Sequence, residues 1–359
     1  MSSTYKNFLN GDVATTRTLL HENIPVSGSL ISGTYAGDGH VKNYSHGLWE
    51  SVYDYPHLSS SANHIMDITM GYSNVSLLSA STNTQNNRKI NMYNQMAQLL
   101  VGHDVTGTIL RFDEDGDILA GGTKLNEVFF LNFSRLLTKD EIKKGSFSIQ
   151  LGASPNYTTA NNSLLTITDA GAQDDFRVNS PAGEYGILSA SLGGAYSASL
   201  GSVISGACGL IYYQAGIVVL TASCFLTSSQ PGGKVSIGPG MTSFNESIVQ
   251  ILTGSSISGT ADALRHRIAN LSFNNTTELN STIYFCRAHN NDFNYSSNPT
   301  YLSGSKIRVK NSSLDAPVSY ITTVGLYSSD NELLGVAKLS EPLKKDPNTE
   351  FTLRVRMDY

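Results

Sequence analysis

Short runs of alternating or continuous apolar residues recur along the chain, and they predict β-strands. Alternation places every second side chain on one face, which is typical of a half-buried strand. The predicted strands are Val128–Phe133, Ser146–Leu151, Leu164–Thr168, Ser281–Cys286 and Lys306–Lys310. The pattern therefore predicts a mainly β fold with a few short helices, built from antiparallel sheets in β-sandwich-like domains.

The last part of the chain carries the pattern of a hairpin followed by one more strand. Thr322–Tyr327 and Leu333–Leu339 flank the polar loop Ser328–Glu332, and Glu350–Met357 is expected to pair beside them. In that final strand one face is polar and the other apolar, and the apolar face consists of Phe351, Leu353, Val355 and Met357. We expect the apolar face to be buried against the hairpin.

A long uncharged stretch, Tyr185–Gly233, contains an apolar run of nearly membrane length at Gly209–Leu226. The run is interrupted at Gln214–Gly216 and continues with the β-branched residues Ile217–Val219, so two consecutive buried strands are predicted. A membrane or pore segment is the alternative. We expect other subunits or domains to bury this stretch, because so large an apolar patch is unusual on a soluble monomer.

Three segments show helical features. Asn87–Val101 has apolar residues on one face and stops at Gly102, as a helix with a C-terminal glycine does. Thr138–Glu141 has the form of a capping box, whose short helix would end at Gly145. Thr260–Asn270 has apolar residues at helical spacing.

Composition adds a class and a coarse division of the chain. The 359 residues are 15% charged and 40% hydrophobic, with a net charge of -5, which indicates a folded protein and disfavours binding to nucleic acid. Shifts in composition suggest a mixed α/β region at 1–145, an uncharged β-rich region at 146–254, and a C-terminal β domain at 255–359.

Cysteine usage and the N-terminal residues bear on the compartment. Cys208, Cys224 and Cys286 are odd in number and form no metal-binding spacing, so we expect buried free thiols. Charged residues interrupt the first 25 positions, and no secretory signal is expected there. We therefore expect synthesis and folding in a reducing cytoplasm.

One acidic segment, Asp113–Asp117, superficially matches a calcium-binding loop. An EF-hand loop starting at Asp113 needs glycine at its sixth position and glutamate at its twelfth, and this chain has Ile118 and Lys124 there. Because Asp115-Gly116 is also a strong turn signal, the segment is predicted to be a hairpin turn with no structural metal. A weak calcium-assisted loop is the alternative.

No motif for catalysis is present in the sequence. Nucleophile-elbow, zinc-protease and phosphate-loop spacings are missing, and the eight histidines form no metal-binding pair. The carboxylate pair Asp174-Asp175 is of a kind that any acidic chain contains. We therefore assign no catalytic, cofactor-binding or metal-ligating residue, and we expect no cofactor and no enzymatic activity.

Aromatic residues concentrate in Asn43–His57, around the single tryptophan, Trp49. Tyrosine and tryptophan bring large rigid areas with one polar end, so such a cluster usually lies in a core or a protein interface. A platform for binding sugars is the alternative.

Several segments give the chain a resemblance to a known class of proteins. They are Tyr5–Asn10, Thr16–Glu22, His289–Tyr301, Tyr320–Tyr327, Glu332–Ser340 and Leu353–Tyr359. The chain resembles the virion structural proteins of contractile-tailed phages, particularly those that infect marine cyanobacteria, and the resemblance spans the whole chain. It carries no enzymatic residues with it.

The resemblance implies a structural component of the virion, in the baseplate or another part of the tail. Its expected partners are other virion proteins and further copies of itself in a symmetric assembly, with no nucleic acid and no membrane. Assembly would take place in the host cytoplasm. The alternatives are a receptor-binding tail module whose Tyr- and Asn-rich loops, such as Asn290–Tyr301, contact host glycans, and a decoration protein of the neck or capsid; a polysaccharide-degrading enzyme is the least favoured.

Overall fold

The computed structural model describes most of the chain, namely residues 5–27, 39–118, 121–152, 164–192, 207–225, 248–295, 302–303, 306–307, 314 and 317–359. The fold is mainly β, with antiparallel, sandwich-like sheets and four short α-helices among these residues, which confirms the predicted fold class.

The chain divides into two compact units. The central unit consists of Leu20–Thr277, and the terminal unit consists of Met1–Leu19 and Glu278–Tyr359. The division falls within two long strands, β1 (Val13–Ser27) and β13 (Ile268–Ala288). The three regions expected from composition have other bounds and stay a prediction.

Strands β2 to β12 lie in the central unit. They are β2 (Val41–Asn43), β3 (Glu50–Tyr53), β4 (His64–Tyr72), β5 (Glu127–Phe133), β6 (Glu141–Ile142), β7 (Ser148–Gly152), β8 (Leu164–Thr168), β9 (Arg177–Ser180), β10 (Gly183–Leu192), β11 (Ala207–Tyr212) and β12 (Ile217–Thr221). Their order in the sheet, starting from β13, is β7-β8-β10-β11-β12-β5-β4-β3-β2, with β6 beside β13 and β9 beside β10. The predicted strands at Val128, Ser146 and Leu164 are thereby confirmed.

The central strands are buried on both faces. In β5, Phe129 and Leu131 belong to one core cluster, whereas Val128 and Phe130 belong to a second cluster on the other side. Strand β12 alternates in the same way. A strand covered on both faces needs apolar residues at every position, which is why the sequence shows continuous rather than alternating runs here.

Strands β11 and β12 form the hairpin predicted from the uncharged stretch. Gly209 pairs with Leu220 and Tyr212 with Ile217, and the turn contains Gly216 at φ +67°. The strands pack against β5 in the core of the central unit, so another part of the same chain buries them, and the expected burial by other subunits is wrong for these residues. Residues 193–206 and 226–247 of the stretch lie outside the described residues.

No helix in the described parts of the chain is long and apolar enough to span a membrane.

The helices are α1 (Asn86–Leu100), α2 (Arg135–Thr138), α3 (Ile248–Gly254) and α4 (Ile257–Arg265). Helix α1 confirms the prediction, and Gly102 after it has φ +93° and donates its N–H to Ala97 O at 3.0 Å. Its backbone lies directly on β4 at Gly71. A Cβ at that position would lie 2.7 Å from both Lys89 O and Tyr93 N, so only glycine permits this approach.

Two other helix predictions need correction. Thr138 ends α2 instead of starting a helix, because Ser134 caps that helix and Glu141 pairs with Thr276 in the sheet. The helix predicted at Thr260–Asn270 is α4, which begins and ends earlier. Ser256 caps its N-terminus, and Ile268 already belongs to β13.

The terminal unit contains the first part of β1, the last part of β13 and five more strands. They are β14 (Leu302–Ser303), β15 (Lys306–Ile307), β16 (Ser319–Tyr327), β17 (Leu333–Lys345) and β18 (Phe351–Asp358). Strands β16 and β17 form the predicted hairpin. Strand β18 is antiparallel to β13, with Ser281 opposite Asp358, so the predicted pairing beside the hairpin is wrong. The apolar face of β18 still meets the hairpin at one point, since a Cβ at Gly335 would lie 3.1 Å from Met357 Cε. Of the strand predicted at Lys306–Lys310, residues 308–310 lie outside the described residues.

Candidate functional site

The terminal unit has almost no apolar core of its own. Among its described residues only Ala288 and Leu326 are fully buried hydrophobic side chains, and both core clusters consist of residues of the central unit. The apolar face predicted for β18 is only half buried. The sequence pattern of this unit is that of a buried sheet, yet its apolar side chains remain in contact with water.

Large apolar side chains are instead exposed on the terminal unit. Of the 26 exposed large hydrophobic residues in the described chain, 15 belong to this unit, although it holds the smaller part of the chain. They are Tyr5, Phe8, Leu9, Val13, Leu19, Leu279, Phe293, Tyr295, Leu314, Tyr320, Tyr327, Leu333, Leu334, Val336 and Tyr359. Large exposed apolar areas are unusual on soluble monomers, so this unit is the candidate for an interaction surface.

The β16–β17 hairpin carries the densest group, which we call the hairpin patch and define as Tyr327, Leu333, Leu334 and Val336. The register places Tyr327 opposite Leu333 and Val336 opposite Gly325. A Cβ at Gly325 would lie 2.9 Å from Tyr327 Cε2 and 3.4 Å from Leu333 Cδ1, so the tyrosine ring covers the glycine. Within the patch, Tyr327 and Leu333 therefore pack over Gly325, while Leu334 and Val336 are exposed on the same hairpin.

Polar contacts hold the terminal unit together in place of a large core. Lys345 is fully buried, and its ammonium donates to Asn290 O at 3.1 Å and to Asn294 Oδ1 at 2.7 Å. Arg287 Nε donates to Asp12 Oδ1 at 2.7 Å. The N–H of Leu9 and the charge of Arg287 lower the pKa of Asp12 below its ordinary value.

The acidic segment Asp113–Asp117 does not form the predicted tight hairpin. The chain pairs Asp113 with Lys124, and Leu125 N donates to Phe112 O at 3.0 Å, so the loop runs through about ten residues before it returns. The prediction of a two-residue turn at Asp115-Gly116 is therefore wrong. The segment around Phe112 and Glu114 pairs with Thr123–Leu125 instead of with the residues directly after Gly116.

The aromatic segment forms a half-buried cluster on β2, β3 and the turn between them. The rings of Tyr44 and His46 stack with centroids 5.0 Å apart, and His46 lies 4.3 Å from Trp49. The ammonium of Lys42 lies 4.7 Å from the centre of the Tyr44 ring. A core or interface role and a sugar platform both stay predictions for this cluster.

A buried ionic cluster that the sequence did not indicate lies beside it. Glu50 and Arg265 are both fully buried, and Arg265 Nε donates to Glu50 Oε1. Arg265 also bonds Asp262, and His266 Nε2 lies 3.5 Å from Asp262 Oδ1. Burial raises the pKa of Glu50 to about 7, although the charge of Arg265 lowers it. The pair joins β3 to α4, and removing either partner would leave the other charge buried without compensation.

The other residues considered for chemistry form no catalytic arrangement in the described residues. Asp174 and Asp175 are exposed, and Asp175 bonds Arg177. The three cysteines are free, with Cys208 and Cys224 buried and Cys286 half buried. The hydrogen bond with the Cys208 thiol and burial raise the pKa of Cys224, and a raised thiol pKa lowers the fraction of reactive thiolate.

Comparisons with protein-family models, with curated proteins and with solved structures give no match to this chain. A proposal for its function therefore rests on the structure of this chain and on the resemblance that its sequence segments carry.

Proposed function

We propose that this chain is a non-enzymatic structural protein of a phage virion, in the baseplate or an adjacent part of a contractile tail, that acts through protein–protein contacts. The observation that carries the proposal is the terminal unit, whose apolar side chains are exposed rather than gathered in a core. Exposed apolar surface of this extent is stabilised when a neighbouring subunit covers it.

The hairpin geometry supports the same mechanism. Within the described residues β16 and β17 form a two-stranded sheet, which is marginally stable by itself in water. Free strand edges can pair with strands of a neighbouring subunit, and the hairpin patch supplies side chains for the same contact. Assembly would then complete this part of the fold.

The partners that fit this surface are other virion proteins and further copies of the chain. The net charge of -5 gives the protein little attraction for nucleic acid, so an assembly role in contact with proteins is favoured. Folding and assembly would take place in the host cytoplasm, and the final location would be the virion.

The proposal is tested by weakening the hairpin patch in the phage that encodes this chain. Leu334→Ser combined with Val336→Ser should leave the protein folded and abundant in infected cells but strongly reduce its amount in purified particles. The matched control is Leu77→Ser with Val105→Ser, at two fully exposed apolar positions of the central unit. Incorporation of both variants at the level of the unchanged protein would contradict the assembly role of the patch.

Contact with host glycans is the second candidate, and exposed aromatic side chains favour it. Phe293 and Tyr295 are exposed in the polar segment that follows β13. Aromatic rings beside amide side chains can bind sugars by stacking and hydrogen bonding. Retention of the purified chain on host surface polysaccharide, lost in Tyr295→Ala, would support this candidate. Turnover of the polysaccharide, abolished by one carboxylate substitution, would contradict the non-enzymatic proposal.

A further inference from the structure

The loop from Asp113 to Lys124 brings three carboxylates together. One oxygen each from Asp113, Asp115 and Asp117 lies within 4.8 Å of the others. An ion bound to oxygen at about 2.4 Å, the ordinary calcium distance, can contact oxygens up to roughly 5 Å apart. The three oxygens therefore fit around one ion.

The backbone of the loop is held in place from outside. Tyr185 donates its hydroxyl to Gly116 O at 2.7 Å, and Asn179 Nδ2 donates to the same oxygen at 3.1 Å. Both residues belong to the sheet of the central unit. The three aspartates thus project from an anchored turn rather than from a free loop.

Asp113 supplies an independent observation that points to a ligand. The residue is 2% exposed, and its Oδ2 bonds Lys124, yet its Oδ1 is buried with no hydrogen-bond partner among the described residues. Leaving a buried carboxylate oxygen without a partner is costly.

The unpartnered oxygen faces the same space as the second carboxylate. A Cβ at Gly122 would lie 3.5 Å from Asp113 Oδ1 and 3.7 Å from Asp115 Oδ2, so both oxygens border the position that a glycine leaves open. Gly122 has φ +72°, which itself favours glycine. The loop thus leaves room beside two carboxylate oxygens.

We propose that Asp113, Asp115 and Asp117 bind one calcium ion in this loop. Only hard oxygen donors are present, and calcium prefers such donors and accepts irregular geometry completed by backbone carbonyls and water.

The site differs from an EF-hand at a decisive position. Lys124 stands where that loop has its bidentate glutamate, and its ammonium bonds Asp113 instead of leaving both oxygens to the ion. The ion therefore lies on the side of Asp113 Oδ1 and receives fewer protein ligands. We expect binding in the range of weak calcium sites, which respond at roughly 0.1 to 1 mM.

The full chain is first freed of metal with EDTA and dialysed. Its binding of calcium is then measured by calorimetric titration with calcium chloride, and its melting temperature is measured at the same calcium concentrations. Saturable binding of one ion and a rise of the melting temperature with calcium are expected. In Asp115→Asn combined with Asp117→Asn, two exposed positions, binding should weaken at least tenfold and the rise should vanish.

Asp346→Asn is the matched control. Asp346 Oδ1 accepts the N–H of Asn348 in an exposed turn, as Asp115 Oδ1 accepts that of Asp117, but it lies in the terminal unit and outside the cluster. The control should bind calcium like the unchanged protein. A lack of saturable binding up to several millimolar calcium would overturn the proposal. An equal response to magnesium would overturn the assignment to calcium. The proposal does not depend on a role in the virion.

Discussion

Tyr327 lies opposite Leu333 at the end of the β16–β17 hairpin, and the two side chains are 56% and 53% exposed. Cross-strand aromatic and aliphatic pairs usually stabilise a sheet by excluding water. Here the pair packs over Gly325 and still faces solvent. If a partner covers this surface, as we propose, side chains that are already packed lose less entropy on association.

The exposed state of the hairpin patch predicts a small effect of substitutions on the isolated chain. Tyr327→Ser and Leu333→Ser should change the free energy of unfolding by no more than about 0.5–1 kcal/mol each, as surface substitutions do. Leu326→Ala, at a buried position of the same strand, should cost about 2–5 kcal/mol of the stability of the terminal unit. Urea unfolding measures all three, and a loss above 2 kcal/mol for Tyr327→Ser would place the patch in a core.

Truncation after Pro347 removes β18 and the hydrogen bonds that pair it with β13. Because none of its residues belongs to either core cluster, the central unit should keep its melting transition, while the amides of Thr282, Tyr284, Cys286 and Ala288, which face β18, lose protection from exchange. Hydrogen exchange and calorimetry together test this. Unfolding of the whole chain on truncation, or unchanged protection of those amides, would contradict it.

Gly71 predicts a large effect from one methyl group. Gly71→Ala would place Cβ 2.7 Å from two backbone atoms of α1, which cannot move aside as a side chain can. We expect a loss of about 3 kcal/mol, at the upper end of the cost of overpacking. Gly171→Ala is the control, since no atom lies within 4 Å of that Cβ and its stability should stay near that of the unchanged protein. Equal melting of the two variants would show that α1 does not lie on β4 as described.

The raised pKa of Glu50 predicts a pH dependence of stability. Its folded value of about 7 lies above its ordinary value of 4.5, so the folded state binds the proton more tightly. The stabilisation is complete below about pH 4.5 and is lost as the pH rises to about 7, by roughly 3 kcal/mol at most. Urea unfolding at several pH values gives the free energy of unfolding of the unchanged protein and of Glu50→Gln. The difference between the two free energies separates the effect of Glu50 from those of Asp262 and His266.

In that comparison Glu50→Gln should flatten the decline between pH 4.5 and 7. Its amide oxygen can still accept from Arg265, so the variant tests the charge more than the contact. Parallel pH profiles of the two proteins would show that Glu50 stays ionised when buried.

Local patterns in the sequence sufficed for the elements whose ends are set by neighbouring residues. The spacing in Asn87–Val101 and the glycine after it predicted α1. An apolar run predicted β5, alternation predicted β8, and two runs around a polar loop predicted the β16–β17 hairpin. The capping pattern at Thr138 failed because Glu141 pairs with Thr276, a partner distant in sequence. Long-range pairing therefore outweighed a local helix signal.

The candidate sites were harder to predict from the sequence than the strands and helices, because they form from residues that are distant along the chain. The spacing at Asp113 argued against a metal, and only the structure brings Gly122 and Lys124 back beside the carboxylates. The exposed hairpin patch was also beyond sequence reasoning, because alternation predicts an apolar face without indicating whether the chain itself covers that face.

We propose that the chain is a structural part of a phage virion and that a neighbouring subunit covers its terminal unit in the particle. The most direct measurement is cryo-electron microscopy of purified particles of the phage that encodes it, with its copy number determined by mass spectrometry. We expect a fixed number of copies in the tail or baseplate. We also expect density of a neighbouring subunit in contact with Tyr327, Leu333, Leu334 and Val336. Particles that lack the chain, or density that leaves these four side chains facing solvent, would contradict it.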